Sequence, residues 1–270
     1  MDLLRISDSE TEEDFENFFE QVQTKSLDQL APQVIDQVPD VKVDGETVDK
    51  YDAVYAEIPS KNAVFGRVLL EMIEEKGIPV NISSTSFFTA AKKNYLYHVL
   101  TQKNIECPKT VSIASEKAAR GIERHIKGPV TARRFEELEE VESKKLDTVE
   151  SIQGFTEGVE YGEEFILFQE YSSGDKYYCL VLGDKVISLK DNTEDWKFSK
   201  DKLKYSNISN DKKEIVQGAA NALGADIIEV KLRGQEVVDM NPQPDLQMYE
   251  RKAGQDVHQN VSQVLKGEQK

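Results

Sequence analysis

Apolar residues recur along this chain in two rhythms, one with a period near 3.6 and one with a period of 2, and their alternation lays out the elements. Ser9-Glu10-Thr11-Glu12 has the spacing of a capping box, and Phe15, Phe18, Phe19 and Val22 follow at helical intervals, which predicts a helix burying a phenylalanine stripe. Residues 24–48 are only loosely patterned around Pro32 and Pro39. Tyr51 to Ile58 alternates as a strand does. Val64, Val68, Met72 and Ile73 then form a helical stripe closed by Gly77 and Pro79, and Ile78 to Ile82 reads as a short strand. Strand, helix and strand in succession predict a small open α/β domain over residues 1–87, built on a parallel sheet.

A helix from about Ala90 to Gln102, with Leu96, Val99 and Leu100 inward, opens the second region and stops before Cys107-Pro108. Ser115 can cap a helix that buries Ala119, Ile122 and Ile126 and ends at Gly128, after which Pro129 to Arg133 reads as a strand. From Phe165 the pattern becomes that of antiparallel hairpins. Phe165 to Glu170 and Tyr177 to Leu182 are strand-like, and Gly183-Asp184 turns the chain into Lys185 to Leu189. A helix from Asp211 to Leu223 ends at Gly224, and Ile227 to Leu232 pairs through Arg233-Gly234-Gln235 with Glu236 to Met240. Val257, Val261, Val264 and Leu265 mark a last amphipathic helix, and the polar stretch Lys266 to Lys270 is expected to fray. The fold class is therefore α/β, in the broader sense α+β, with domains over 1–87 and 88–266 and a frayed tail at 267–270.

Composition narrows the function classes. With 34 Lys and Arg against 50 Asp and Glu, the 270-residue chain carries a formal charge of −16. Such a surface repels nucleic acid and anionic membranes, which are bound through clustered basic residues, so neither is an expected partner. The apolar content of 39% is enough for a core. Cys107 and Cys179 are the only cysteines and have no metal-type spacing, which excludes a disulfide scaffold, a Cys zinc site and a CxxC redox motif. The start, Met1-Asp2-Leu3-Leu4-Arg5 followed by acids, lacks the basic and apolar segments of a secretory signal, and no window is apolar enough for a membrane helix, so a soluble cytoplasmic protein is expected.

The strongest local chemical signal is Val237-Val238-Asp239-Met240-Asn241-Pro242-Gln243-Pro244, where alternation puts Asp239 and Asn241 on one face of a strand end. Glu229 on the preceding strand could reach that face, and two carboxylates with an amide oxygen suit magnesium. Strand-end Asp and Asn are also common turn formers. His98, His125 and His258 fall on separate helices without partner spacing and read as structural or surface residues, and no Ser-His-Asp or Cys-His arrangement is legible.

Four segments, KNYLYHVLTQKNIECP from Lys93, FILFQEYSSGD together with YYCLVLGDKVISL, EDWKF, and ADIIEVKLRGQEVVDMNPQP, resemble in order and spacing an ATP-grasp domain of the RimK-like amino-acid ligase type over residues 90–265. The resemblance implies an ATP-grasp fold preceded by a small open α/β domain. It also implies an ATP- and magnesium-dependent carboxylate–amine ligase working through an acyl phosphate, on small-molecule or peptide substrates, with dimers or tetramers common among relatives. Carried over residue by residue, it assigns ATP binding to Lys93, Arg133, Gln169, Glu170 and Lys197, and magnesium to Glu229, Asp239 and Asn241, with Asp226 as the rival of Glu229. Arg133 stands where a second lysine is usual, and Arg presents a planar fork in place of a point charge.

Two departures separate this chain from that pattern. Where a glycine-rich mobile loop usually follows the second lysine, the sequence reads Phe135-Glu136-Glu137-Leu138-Glu139-Glu140-Val141-Glu142, an acidic loop that a triphosphate would repel unless Arg134, Lys144 and Lys145 intervene. Tyr178 occupies a position where arginine is usual. These features keep an alternative open, a degenerate ATP-grasp protein acting as a nucleotide-sensing or protein-interaction module.

Overall fold

The computed structural model describes residues 1–8, 15–119, 122, 125–126, 129–157 and 164–268. β1 (Asp2–Ser7) buries Leu3, Leu4 and Ile6 on either side of Arg5, the burial on both faces that a covered parallel strand has, and pairs in parallel with β2 (Gln21–Lys25). β2 takes the place of the continuing helix expected there. The chain makes one turn, in which the Phe15 carbonyl accepts from Phe18 and Phe19, and Glu20 then donates to the Met1 carbonyl. Pairing with β1 thereby uses the backbone groups a helix would need, and Val22 lies on a strand. The capping box at Ser9–Glu12 falls outside the described residues.

The loosely patterned segment is an antiparallel meander, β3 (Leu30–Ile35), β4 (Val38–Val43) and β5 (Glu46–Thr47). Its prolines fit because Pro32 is on an edge strand and Pro39 lies beyond the reach of the two-residue β5. β6 (Ala53–Glu57) returns to the free side of β1, where Glu57 pairs with the buried Arg5 at 2.7 Å. Of the strand expected over Ile78–Ile82 only a parallel bridge between Val54 and Val80 forms, with the Asn81 side chain bonding both backbone groups of Ala56.

α1 (Ala63–Glu75) buries Ala63, Gly66, Leu69, Leu70 and Ile73, so Ile73 and, in part, Met72 of the predicted stripe face the core while Val64 and Val68 are left 65% and 41% exposed. Gly66 sets this phase: a Cβ there would stand 2.8 Å from Ile58 and from Phe87, so the glycine face is the one that can approach closely. The single helix expected near residue 90 is two, α2 (Ser84–Ala91) and α3 (Lys93–Gln102), broken at Lys92, whose ψ of 86° is not helical. α3 buries Leu96, Tyr97 and Leu100.

The next sheet is antiparallel and ordered β7 (Thr110–Ile113), β10, β8, β9, with β8 at Val130–Glu136, β9 at Glu139–Leu146, α4 at Val149–Thr156 and β10 at Glu164–Glu170. A short 3-10 turn, Glu116–Ala119, stands where the Ser115-capped helix was expected. Ile122 and Ile126 are buried as predicted, under this sheet with Ile152 and Phe155, while Gly128 falls outside the described residues. The acidic stretch 135–142 is no loop. β8 continues to Glu136, Glu137 and Leu138 turn at φ 48° and 68°, and β9 begins at Glu139. The strands hold because Phe135 stacks on Phe165 with centroids 4.7 Å apart, Leu138 packs on the main core, and Arg134 faces Glu142 across the ladder.

The largest sheet is antiparallel in the order β13, β12, β11, β14, β15, from β11 (Lys176–Leu182), β12 (Lys185–Asp191), β13 (Leu203–Tyr205), β14 (Ile227–Arg233) and β15 (Glu236–Asn241). Both predicted hairpins are present. α5 (Asn210–Leu223), capped by Ser209 and ended by Gly224 at φ 70°, covers the face carrying Cys179, Val181 and Val230, in a core continuous with that of the first sheet. α6 (Leu246–Ala253) and α7 (Val257–Leu265) cover the face carrying Tyr178, Leu180 and Leu182. Lys266, expected in a frayed tail, donates to the Phe18 carbonyl at 2.6 Å, and Glu268 bonds back to Gln263. Among the described residues no helix is long and apolar enough to cross a membrane.

Candidate functional site

The site begins at the free edge of β15. An edge strand presents unpaired carbonyls every second residue, about 6.7 Å apart. α3 lies along this edge, and side chains four residues apart on a helix are about 6 Å apart, a close match. Lys93 donates to the Met240 carbonyl at 2.6 Å and Tyr97 to the Val238 carbonyl at 2.7 Å, while the Val237 amide reaches Glu106. The first turn of α3 is thus stapled to the strand end that carries Asp239.

Asp239 is the centre of the charge arrangement. Its carboxylate lies 2.9 Å from Lys93, 3.4 Å from Lys231 and 3.7 Å from Arg133. Burial would raise its carboxyl, but the three cations overcome that and hold it well below the usual carboxylate range. Burial lowers the Lys93 ammonium, opposed by Asp239. Arg133 also reaches Glu140 at 3.7 Å, and its burial is outweighed by the oxygens of Tyr97, Asp239 and Glu140, which keep it charged.

Tyr97, which the sequence did not single out, accepts from Arg133 at 2.7 Å while donating to Val238. Burial pushes its hydroxyl up to about 12, so it remains a donor at neutral pH. Tyr97→Phe takes the hydroxyl from the Val238 carbonyl and leaves that Arg133 nitrogen with Gln169 alone. Its expected cost is about 1–3 kcal/mol, measured by denaturant unfolding, and unchanged stability would show that water replaces the hydroxyl.

Between the four-stranded and five-stranded sheets, beside this cluster, lies a cleft of about 200 Å³. Arg133 donates to the Gln169 amide oxygen at 2.9 Å, and Gln169 donates to Thr110 at 3.3 Å, so two of the predicted residues are locked together. Glu170 lines the cleft from the end of β10 and pairs with Lys109 at 3.2 Å. Trp196, Lys197 and Phe198 line it from the segment after β12, and Arg233 closes the end, its guanidinium over the rings of Tyr171 and Phe198 and one nitrogen on the Trp196 carbonyl. Three buried polar atoms of the lining, Arg133 Nε, Ser172 Oγ and Arg233 Nε, have no hydrogen-bond partner among the described residues. Buried donors left open in a cleft with basic and aromatic walls fit a polar anion carrying a flat ring, which is the chemistry of a nucleotide.

The predicted metal ligands are placed differently. Asn241 lies opposite Glu229 in the β14–β15 register, but its side chain bonds both backbone groups of Gln243. Glu229 is buried and accepts from Tyr249 at 3.0 Å, and burial pushes its carboxyl up. Asp226 is exposed, and its carbonyl bonds the Gly183 turn at the far end of β14. Among the described residues no three His, Cys, Asp or Glu side chains form a metal-ligating group. These donors do not make a closed cage. They suit an ion that brings most of its ligands with it, as magnesium does when bound through one carboxylate and substrate phosphates.

A second opening shares Arg133, Glu140 and Asp239 with the first, adds Lys93, and is walled by Pro59 and Ser60 of the N-terminal region and by Gln243. The charge cluster around Asp239 therefore borders both openings. Tyr97, Lys231 and Arg233 escaped sequence reasoning because each depends on pairing partners, although Tyr97 is one helical turn from Lys93 and Lys231 is on the same strand face as Glu229.

Comparisons with known proteins bear on this geometry. A family model described as a RimK-like ATP-grasp domain matches residues 90–265. A probable alpha-L-glutamate ligase of Pasteurella multocida (strain Pm70) is 24% identical over 220 residues, spanning 77% of this chain and 70% of that protein. Among solved structures, the ATP-grasp ligase PsnB complexed with a phosphomimetic variant of a minimal precursor, Mg and ADP is similar with a TM-score of 0.72 at 14% identity, over 99% of this chain and 98% of that one. D-alanine–D-alanine ligase from Bacillus anthracis complexed with ATP gives 0.67 at 13% identity, over 99% of each chain. The structural likenesses speak for the fold.

Proposed function

The chain belongs to the RimK-like ATP-grasp family, and from that premise we propose that it is an ATP-dependent ligase joining a carboxylate to an amine. The observation that carries this reading is the convergence of Lys93, Arg133 and Lys231 on Asp239 at the wall between two clefts, one of which holds open buried donors. In this reading Gln169, Glu170, Trp196 and Lys197 border the adenine and ribose, and Lys93 and Arg133 face the phosphates. Asp239, with Asn241 beside it, would hold the nucleotide's magnesium ion, which when bound offsets phosphate charge.

The carboxylate and amine meet in the second cleft, between residues of the N-terminal region and the β8–β9 hairpin. There a carboxylate oxygen takes the γ-phosphoryl group as its bond to ADP breaks. The amine nitrogen then attacks the acyl carbon, phosphate leaves and the nitrogen loses a proton. Lys93 and Arg133 stabilise the charge that develops on the transferring group, and holding the partners in place supplies the rest. The relatives' names support amino-acid or peptide substrates, and a cytoplasmic setting agrees with the free thiols of Cys107 and Cys179.

Calorimetric titration with the non-hydrolysable analogue AMP-PNP and magnesium, at several salt concentrations, tests the reading. Saturable binding at micromolar concentration is expected, followed by phosphate release and amide formation when ATP and matched carboxylate and amine are supplied. A folded protein that binds no analogue at any salt overturns it. The acidic hairpin favours a second reading, a nucleotide-sensing module, and binding without turnover over a broad substrate screen is its signature.

A further inference from the structure

The oxygen donors expected to hold metal and the groups placed among them do not match, and the mismatch has one centre, Lys231. It is two residues from Glu229 on the same face of β14 and directly opposite Asp239 on β15. Its ammonium is 3.4 Å from Asp239 Oδ2, so it occupies the strand face that both carboxylates share. On its other side it lies 5.6 Å from the centre of the Tyr178 ring, its opposite number on β11. Carboxylate and aromatic face together fix the ammonium, and the 23% of the side chain left exposed opens on the cleft.

A cation between two carboxylates beside a phosphate site is the position a divalent ion takes when protein and nucleotide share it. Lysine can fill that place: it is a compact charge with three donors, able to hold Asp239 and turn a further hydrogen to a phosphate oxygen. A second dication would have to displace it or suffer repulsion at contact distance. We propose that the Lys231 ammonium takes the place of a second divalent cation, so that the site binds its nucleotide with one metal ion. The proposal rests on the reading of the cleft as a nucleotide site.

Manganese stands in for magnesium in the test, with AMP-PNP as nucleotide and bound ion counted by electron paramagnetic resonance. The wild-type protein is expected to hold one manganese ion per bound AMP-PNP up to millimolar metal. Lys231→Asn, which removes the ammonium and offers an oxygen, is expected to hold two. Lys231→Asp is measured alongside it, so that one cooperatively unfolding variant suffices. Two ions in the wild type, or one in the folded variants, overturns the proposal and leaves the ligase reading intact. A folded wild-type protein that binds no AMP-PNP overturns both.

Discussion

Replacing Asp239 with Asn is expected to abolish ATP-dependent ligation and to cost the fold about 3–5 kcal/mol at neutral pH. The substitution keeps the shape and one oxygen but removes the only carboxylate that Lys93, Arg133 and Lys231 share. With a side chain only 15% exposed, Asp239 has little screening by water to soften the loss. The cations are left to repel one another, and withdrawing Lys93 from Met240 to relieve this opens the junction of α3 and β15.

The pH dependence has a definite sign. The folded-state carboxyl is depressed, so its contribution is complete above the unfolded value, about 3.9, and is lost as pH falls through the lower folded value. Wild type and variant should therefore differ fully from neutral pH down to about 4 and converge in stronger acid. Urea unfolding across that range, beside a phosphate-release assay, reads both effects. A variant as stable as the wild type at pH 7 shows that the cations are paired by solvent instead.

The parts of the fold that were legible are those fixed by neighbours in sequence. Gly183 and Gly234 punctuate the two hairpins, and Gly224 ends α5, because each adopts a left-handed conformation that other residues avoid. The phase of α1 was not legible: Val64 and Val68 look like the core face, and only the contact of Gly66 with Ile58 and Phe87 turns them outward. The β8–β9 turn carries Glu137 and Leu138 where Asn-Gly would have announced it, so an ordered hairpin read as a loop. The site followed the same division. Asp239, read from the strand pattern, and Lys93, Arg133 and Gln169, named through a family resemblance, do meet in one network. Tyr97 and Lys231 join it through a helix packed on a strand edge and a β ladder, which single-sequence periodicity does not contain.

The same sheet holds a second buried pair, and Lys176→Met is expected to cost about 3–5 kcal/mol and to weaken nucleotide binding at least tenfold. Lys176 and Asp191 are opposite one another on β11 and β12, 2.9 Å apart, with side chains 7% and 0% exposed. The ammonium also donates to Thr193 Oγ1 and to the carbonyls of Asp195 and Lys197, while Asp191 accepts from the amides of Thr193 and Ser199. One ion pair thus pins the segment that carries Trp196, Lys197 and Phe198 into the cleft. Methionine fills the volume but leaves Asp191 charged without a cation and the segment without its anchor.

Trp196 is the only tryptophan, so its emission reports that segment directly and should shift to the red in the variant. Stability and positioning can then be separated. Adding Asp191→Leu removes the unpaired charge and should restore much of the stability, as apolar replacement of a buried pair often does, while the red-shifted emission and weak nucleotide binding persist. A double variant with wild-type emission and affinity would show that the pair supports the sheet alone and that Arg233, which bonds the Trp196 carbonyl from the other side, is sufficient to hold the segment.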